Sequence, residues 1–143
     1  MKRHPALIPF SRDHYGGLVV AQHLMRSPDD AALAECLKHW EEEMQDHFSE
    51  EESLLSPLAP AEMTERLIAE HNEIRSLMRS AASGKFGSND IFRLGKKVHD
   101  HIRWEERELF PTLERYADVK SIGEQTAQLE ERRNRDRRKV DNG

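Results

Sequence analysis

The sequence predicts an all-α fold: an up-down-up-down four-helix bundle with a short C-terminal helical tail. Three observations predict it. Ala, Leu, Glu, Lys, Arg, Gln and Met make up 75 of the 143 residues, against only 14 Val, Ile and Thr, so the chain favours helix and starves a sheet. Apolar residues recur at steps of three and four through four long stretches. Short turn-forming runs separate the stretches, which makes successive helices antiparallel neighbours. A chain of this length buries roughly 70% of its unfolded surface, enough for one core without staples. The bundle is expected over residues 5–116 and the tail over residues 117–143.

The first helix is expected from Ser11, as N-cap with Asp13 in its first turn, to about Arg26. The second opens at Ser27-Pro28-Asp29-Asp30, read as an N-cap, a proline at the first helical position and two acids at the positive dipole end. It runs to about Leu54, where Ser56-Pro57 stops it. The third runs from near Pro60 to Ser83, with Gly84 as its stop. After the loop 84–88, the fourth runs from Ser88 or Asn89 to about Tyr116. Ser121 and Glu124 fit a capping box for a shorter fifth segment, Gln125–Arg133. Arg132, Arg133, Arg135, Arg137, Arg138 and Lys139 close the chain, diluted by Glu130, Glu131 and Asp136. That run reads as a solvated helix end rather than an anion-binding arm.

The net charge of −5 excludes a basic body built for nucleic acid. A single cysteine, Cys36, excludes an intrachain disulfide framework, a Cys-based zinc site and a CxxC redox motif. No apolar run approaches a membrane span, and the opening MKRHPALIPFSRD lacks a signal-peptide core, so a cytoplasmic protein is expected.

Eight histidines remain to be explained. His-x-x-x-Glu puts two side chains on one helix face, one turn apart. Chance gives about one such pair at this composition. The sequence holds three: His39/Glu43, His47/Glu51 and His101/Glu105. The apolar seams separate them. In the second helix the inward positions are Leu33, Leu37, Trp40, Met44, His47, Glu51 and Leu54, which leaves His39 and Glu43 outside and solvated. In the fourth they are Ile91, Leu94, Val98, His101, Glu105 and Leu109, which leaves His99 outside. The third-helix seam, Met63, Leu67, Ile74 and Met78, includes His71, and the first-helix seam, Leu18, Ala21 and Met25, includes His14.

One inward histidine is usually a core residue with one hydrogen-bond partner. Two inward glutamates with four inward histidines are hard to satisfy in a dry core, because unpaired buried carboxylates cost several kcal/mol each. A pair of divalent ions satisfies His14, His47, Glu51, His71, His101 and Glu105 together, with bridging carboxylates and neutral imidazoles. Trp40, Met44, Phe48, Leu67, Ile74, Val98 and Ile102 would wall the site. Counting residues from the turns matches His71 with His101/Glu105 in height, but leaves His47/Glu51 about 9 Å from His71 at 1.5 Å per residue.

These residues resemble the hemerythrin-like family, in its HHE cation-binding branch. The pattern is one His on the first helix, HFSEE on the second, EHNEI on the third and HIRWEERELFP on the fourth. The resemblance implies a four-helix bundle with a non-haem di-iron centre, Glu51 and Glu105 bridging the irons and the four histidines as terminal ligands. The chain departs from the oxygen carriers at Arg75, where they have a second histidine, and at Glu105, where they have an aspartate at another spacing. It also lacks the cysteine-bearing region of the related iron–sulfur repair proteins. The expectation is a stand-alone domain holding two Fe ions, with Mn or Zn also compatible with the ligands. Its open positions suit O2, NO or peroxide, so sensing or handling such a ligand, or iron, is the first expected role. A di-iron peroxidase or oxidase is the alternative. A protein-interaction module with a structural metal, its tail contacting a partner, is the third. Arg75 could donate to Glu51 or Glu105 or lie at the surface, the latter preferred. Tyr15 could reach a bound ligand or pack, with packing preferred.

Overall fold

The structure, a computed structural model, describes residues 2–142 apart from the side chains of residues 137 and 139–142, so Arg137 and Lys139 of the basic run lie outside the described residues. The chain is all-helical, and no strand occurs among the described residues. Helix α1 is Ile8–Arg26, preceded by a 3₁₀ turn, Pro5–Leu7. Helix α2 spans residues 30–54 as Asp30–His39, a π-helical turn Trp40–Met44, and Gln45–Leu54. Helix α3 is Ala61–Ala82. Helix α4 spans residues 88–116 as Ser88–Trp104, a second π-helical turn Glu105–Leu109, and Phe110–Tyr116. Helix α5, Gly123–Asn142, follows a 3₁₀ turn at Val119–Ile122.

Three helix starts differ from expectation, each for a local reason. Ser11 is not an N-cap. Helix α1 begins a turn earlier, because Pro9 tolerates the first turn, where its missing N–H costs nothing, and Ala6, Leu7 and Phe10 bury themselves. The Ser11 hydroxyl instead donates to Glu106 at 2.8 Å. Asp29, not Ser27, caps α2, its carboxylate accepting the Ala32 N–H at 2.9 Å, so Pro28 lies outside the helix. The Ser27 N–H is already used, donating to the His23 carbonyl at the end of α1. Ser121 donates its hydroxyl to the Asp118 carbonyl and forms no capping box. The tail docks as a helix over its first turns, where Thr126 and Leu129 are buried and Arg12 pairs with Glu130, while Arg132, Arg135, Asp136 and Arg138 are exposed, as a solvated helix end should be. At the end of α3, Ser83 is the C-cap and Gly84 follows at φ 81°, a left-handed conformation natural to glycine.

The interior divides into two apolar clusters. One gathers Val20, Leu24, Met44, Phe48, Ile74 and Val98 with their neighbours; the other gathers Leu7, Phe10, Leu67, Trp104, Phe110 and Leu129 with theirs. His14, Glu51 and His71 each fall in sequence between a residue of one cluster and a residue of the other, as His14 does between Phe10 and Val20. Helices α1 and α4 are pressed together. A Cβ at Gly95 would sit 2.8 Å from the Ala21 carbonyl oxygen, so only glycine permits this approach.

The buried stripes run slightly off the expected seams. Gly17, Val20 and Leu24 are buried on α1 while Leu18 and Met25 are half-buried, and Leu55 rather than Leu54 is enclosed after α2. For Leu55 on α2 the π turn Trp40–Met44 is one reason: it holds more residues per turn than an α-helix and so rotates everything beyond it. Residues 55–60 are themselves coiled, with Leu55 N–H donating to Glu51 and Leu58 N–H to Leu55, so the path of α2 continues before α3 begins. That extension absorbs the height mismatch expected between Glu51 and His71.

Candidate metal centre

Four helices each contribute to one buried polar cluster. His14 comes from α1, His47 and Glu51 from α2, His71 from α3, and His101 and Glu105 from α4. All six are at most 4% exposed. The one-turn spacing works as expected: His47 Nε2 lies 3.1 Å from Glu51 Oε2, and His101 Nε2 lies 2.5 Å from Glu105 Oε1. The carboxylates then divide their oxygens. Glu51 turns Oε2 towards His14 and His47, and Oε1 to within 3.1 Å of His71 Nε2. Glu105 turns Oε2 to within 3.2 Å of His14 Nε2, and Oε1 towards His101 and His71.

Two overlapping groups result, His14–His47–Glu51–Glu105 and Glu51–His71–His101–Glu105, each offering ligand atoms within 4.8 Å of one another. Two ligand atoms that share an ion at ~2.1 Å and a right angle lie ~3.0 Å apart, close to most of these separations. Among the described residues, the four Nε2 atoms and all four carboxylate oxygens are buried with no hydrogen-bond partner outside their own set, and face only one another. Buried polar atoms are normally satisfied. Eight orphans converging on two points fit a pair of cations, and the shared carboxylates fit a binuclear site.

Each imidazole is held from behind by a carboxylate on another helix. His47 Nδ1 meets Asp13 at 2.9 Å, His71 Nδ1 meets Glu52 at 2.7 Å, His101 Nδ1 meets Glu70 at 2.7 Å, and His14 Nδ1 meets Glu106 at 2.6 Å. The supports run in a cycle: α1 serves α2, α2 serves α3, α3 serves α4, and α4 serves α1. A Nδ1–H donated to a carboxylate leaves the Nε2 lone pair facing inward, and makes the ring a better metal ligand. These four acids were missed in the sequence. Their signal is present: each is the immediate neighbour of an inward residue, in Asp13-His14, Glu51-Glu52, Glu70-His71 and Glu105-Glu106.

Without cations the carboxylates act on the rings directly. Burial alone would lower the His71 pKa, but Glu105, Glu51 and Glu52 outweigh it and hold the ring at about 10. His47 follows the same balance, burial against Glu51 and Asp13, and reaches about 9. His14 and His101 are raised against burial by Glu105 and their outer acids. Burial would raise Glu52, yet His71 and Arg75 bring it to about 2.

Aromatic rings wall the cluster. Phe48 stacks on His71 with centroids 3.8 Å apart, and Phe110 stacks on His14 at 5.4 Å. Phe10 lies edge-on to His47. Of these, sequence reasoning named only Phe48. Leu67 belongs to one apolar cluster, and Trp40, Met44, Ile74, Val98 and Ile102 to the other.

Arg75 fits neither reading given to it. It donates to Glu52 at 2.8 Å, not to Glu51 or Glu105, because Glu52 already stands between it and His71. Tyr15 does not pack: it is 75% exposed, one position round the helix from His14. His39 is less solvated than expected, its ring only 13% exposed beside the bare Gly16 backbone, while its partner Glu43 is exposed. His99 faces Asp100, away from the cluster.

The family description that matches the chain is the hemerythrin HHE cation binding domain, over residues 14–90. That match covers just over half of the chain and includes His14, His47, Glu51 and His71. The chain belongs to the hemerythrin HHE cation-binding family. The match stops short of His101 and Glu105, so it is the tertiary structure that joins the last helix of this HHE domain to the cluster. No curated protein and no solved structure matches the chain.

Proposed function

We propose that this HHE domain holds two iron ions and uses them to sense or handle a small ligand such as O2, NO or peroxide, or iron itself. The observation that carries the reading is the set of eight buried orphan atoms, with each carboxylate sending one oxygen to each group. His14 and His47 would hold one ion, His71 and His101 the other, and Glu51 and Glu105 would bridge them. Imidazole and carboxylate suit Fe, and also accept Mn or Zn. Iron bound here would supply open coordination positions and redox chemistry for a small ligand. The chain supplies the rest. Asp13, Glu52, Glu70 and Glu106 fix the ring tautomers, and Phe48 and Phe110 fix the ring planes.

Metal analysis with a near-UV spectrum, on aerobically purified protein beside His47→Ala and Glu105→Ala, tests the reading. Two irons per chain and ligand-to-metal charge-transfer absorption that both variants lose would support it. No retained metal, and no uptake of anaerobic Fe(II), would overturn it.

A cleft of about 820 Å³ favours a second reading, a peroxidase or oxidase. It is lined by His14, His47, His101 and Glu105 at its depth and by Tyr15 and Arg133 among others, room enough for a small substrate. Catalytic loss of peroxide by the iron-loaded protein would promote that reading, whereas stoichiometric ligand binding without turnover removes it. The third expectation, a partner on the basic tail, loses part of its motive, since Arg132 and Arg133 face Glu50 within the chain.

A further inference from the structure

The carboxylates behind the histidines are themselves held, and by four arginines. Arg75 donates to Glu52 at 2.8 Å, and Arg66 donates to Glu70 at 2.8 Å. Arg3 donates to Glu106 at 3.1 Å, and Arg133 pairs with Asp13 at 2.7 Å. Three of the four also lie over an aromatic ring near the supported histidine: Arg75 over Phe48, Arg66 over Trp104 and Arg3 over Phe110. The set therefore reads outward as metal ligand, carboxylate, arginine, four times over.

The origin of the arginines is uneven. Arg66 and Arg75 both lie on α3, inside the bundle, and serve His101 and His71. Arg3 and Arg133 come from outside the four bundle helices, from the segment before α1 and from α5, and serve His14 and His47. Only one of the two ligand groups thus depends on flanking segments. Arg133 is further fixed by Glu50 on α2, so one guanidinium ties α5 to both α1 and α2. The cleft reaches both histidines of this group, and only His101 of the other pair, and takes one wall from α5, through Leu129, Glu130, Arg132 and Arg133.

Resting on the two-metal reading, we propose that the two metal positions are inequivalent, and that Arg133 is a positioning residue coupling the docking of α5 to the weaker one, at His14 and His47. The physical chain is short. The Arg133 charge holds the Asp13 carboxylate in place; Asp13 accepts the His47 Nδ1–H; that bond orients the Nε2 lone pair. Loss of a carboxylate such as Asp13 behind a ligand weakens metal affinity by roughly ten- to a hundredfold, and Arg133, one contact further out, acts through it. Linkage makes the effect reciprocal: an ion bound at His14 and His47 must tighten α5 on the bundle by the same factor by which α5 tightens the ion. The helix is then the part of the molecule whose docking reports whether that position is filled. The His71–His101 position, braced wholly from within, fills first.

The test is an anaerobic Fe(II) titration of the full chain by calorimetry, with hydrogen exchange of the α5 amides followed at each equivalent. Wild type should show two steps, and exchange over residues 123–136 should slow only with the second. Arg133→Ala should weaken the second step by roughly tenfold, the lower end of the loss expected for the carboxylate itself, and leave the first within about twofold. Arg133→Lys should recover most of the loss, and Arg66→Ala should weaken the first step instead. Unchanged titration of Arg133→Ala, equal weakening of both steps, or α5 exchange that ignores the second ion would each overturn the proposal. Wild type binding fewer than two ions would overturn the two-metal reading itself, and is recognised without any substitution.

Discussion

Loading the centre with metal must expel protons, and the number can be worked from the structure. In the metal-free chain His47 stands at about 9 and His71 at about 10, so at pH 7 both are at least about 99% protonated. His14 and His101 are raised as well. Each Nδ1 faces an outer acid, so the proton that distinguishes imidazolium from neutral ring is the one on Nε2, aimed at Glu51 and Glu105. A divalent ion needs that lone pair. Filling both positions at pH 7 should therefore release at least about two protons and up to about four per chain, and the overall affinity should climb two to four decades per pH unit. Calorimetry at pH 7 in two buffers of different ionisation heat measures the number. Release of less than about one proton per chain would refute the electrostatic account. The same shifts fix a sign for stability. These histidines have folded pKa values above the ordinary 6.5, so their contribution to the metal-free fold is complete below pH 6.5 and is lost as pH rises through about 9 and 10. Denaturant midpoints of the metal-free protein should fall between pH 7 and 10, by up to roughly 1.4 kcal/mol per pH unit for each proton. The loaded protein should lack that slope.

Other consequences are more local. Gly95→Ala forces a Cβ to 2.8 Å from the Ala21 carbonyl oxygen and from Leu24 Cβ, and should cost about 1–3 kcal/mol in urea unfolding, with a milder result if α1 and α4 can part. Asp29→Ala should cost about 1 kcal/mol while Ser27→Ala changes little; the reverse order would restore Ser27 as the cap. Burial, aided by Glu35, pushes the Cys36 thiol up to about 12, so iodoacetamide at pH 8 should label only unfolded protein. Because that folded pKa lies above the ordinary 9.0, the thiol's contribution to stability is present below about pH 9 and declines towards 12, a slope that Cys36→Ala should remove.

The bundle was legible because helix periodicity is a local property. Leu33, Trp40 and Met44, or Ile91, Leu94 and Val98, mark an inward face without reference to any partner, and a histidine or glutamate in step with them must point inward too. That is why His14, His47, Glu51, His71, His101 and Glu105 could be named from spacing, and why His99 could be set aside. Caps were less legible, since Ser27 and Asp29, or Pro9 and Ser11, compete within a few residues and the burial of distant side chains decides between them.

The sequence by itself determined that six polar residues face the core and that two of them are carboxylates needing charge compensation. It could not determine how the helices stand against one another. Only the tertiary structure showed that Asp13 reaches His47 on the next helix, that Glu106 on the last helix reaches back to His14 on the first, and that Arg133 stands behind Asp13. Contacts between residues 34, 92 and 120 positions apart depend on interhelical rotation, on two π turns that shift the register, and on a tail whose first turns dock. None of these is a periodic signal, so the inward polar residues were readable in one dimension, while which acid meets which ring was decided in three.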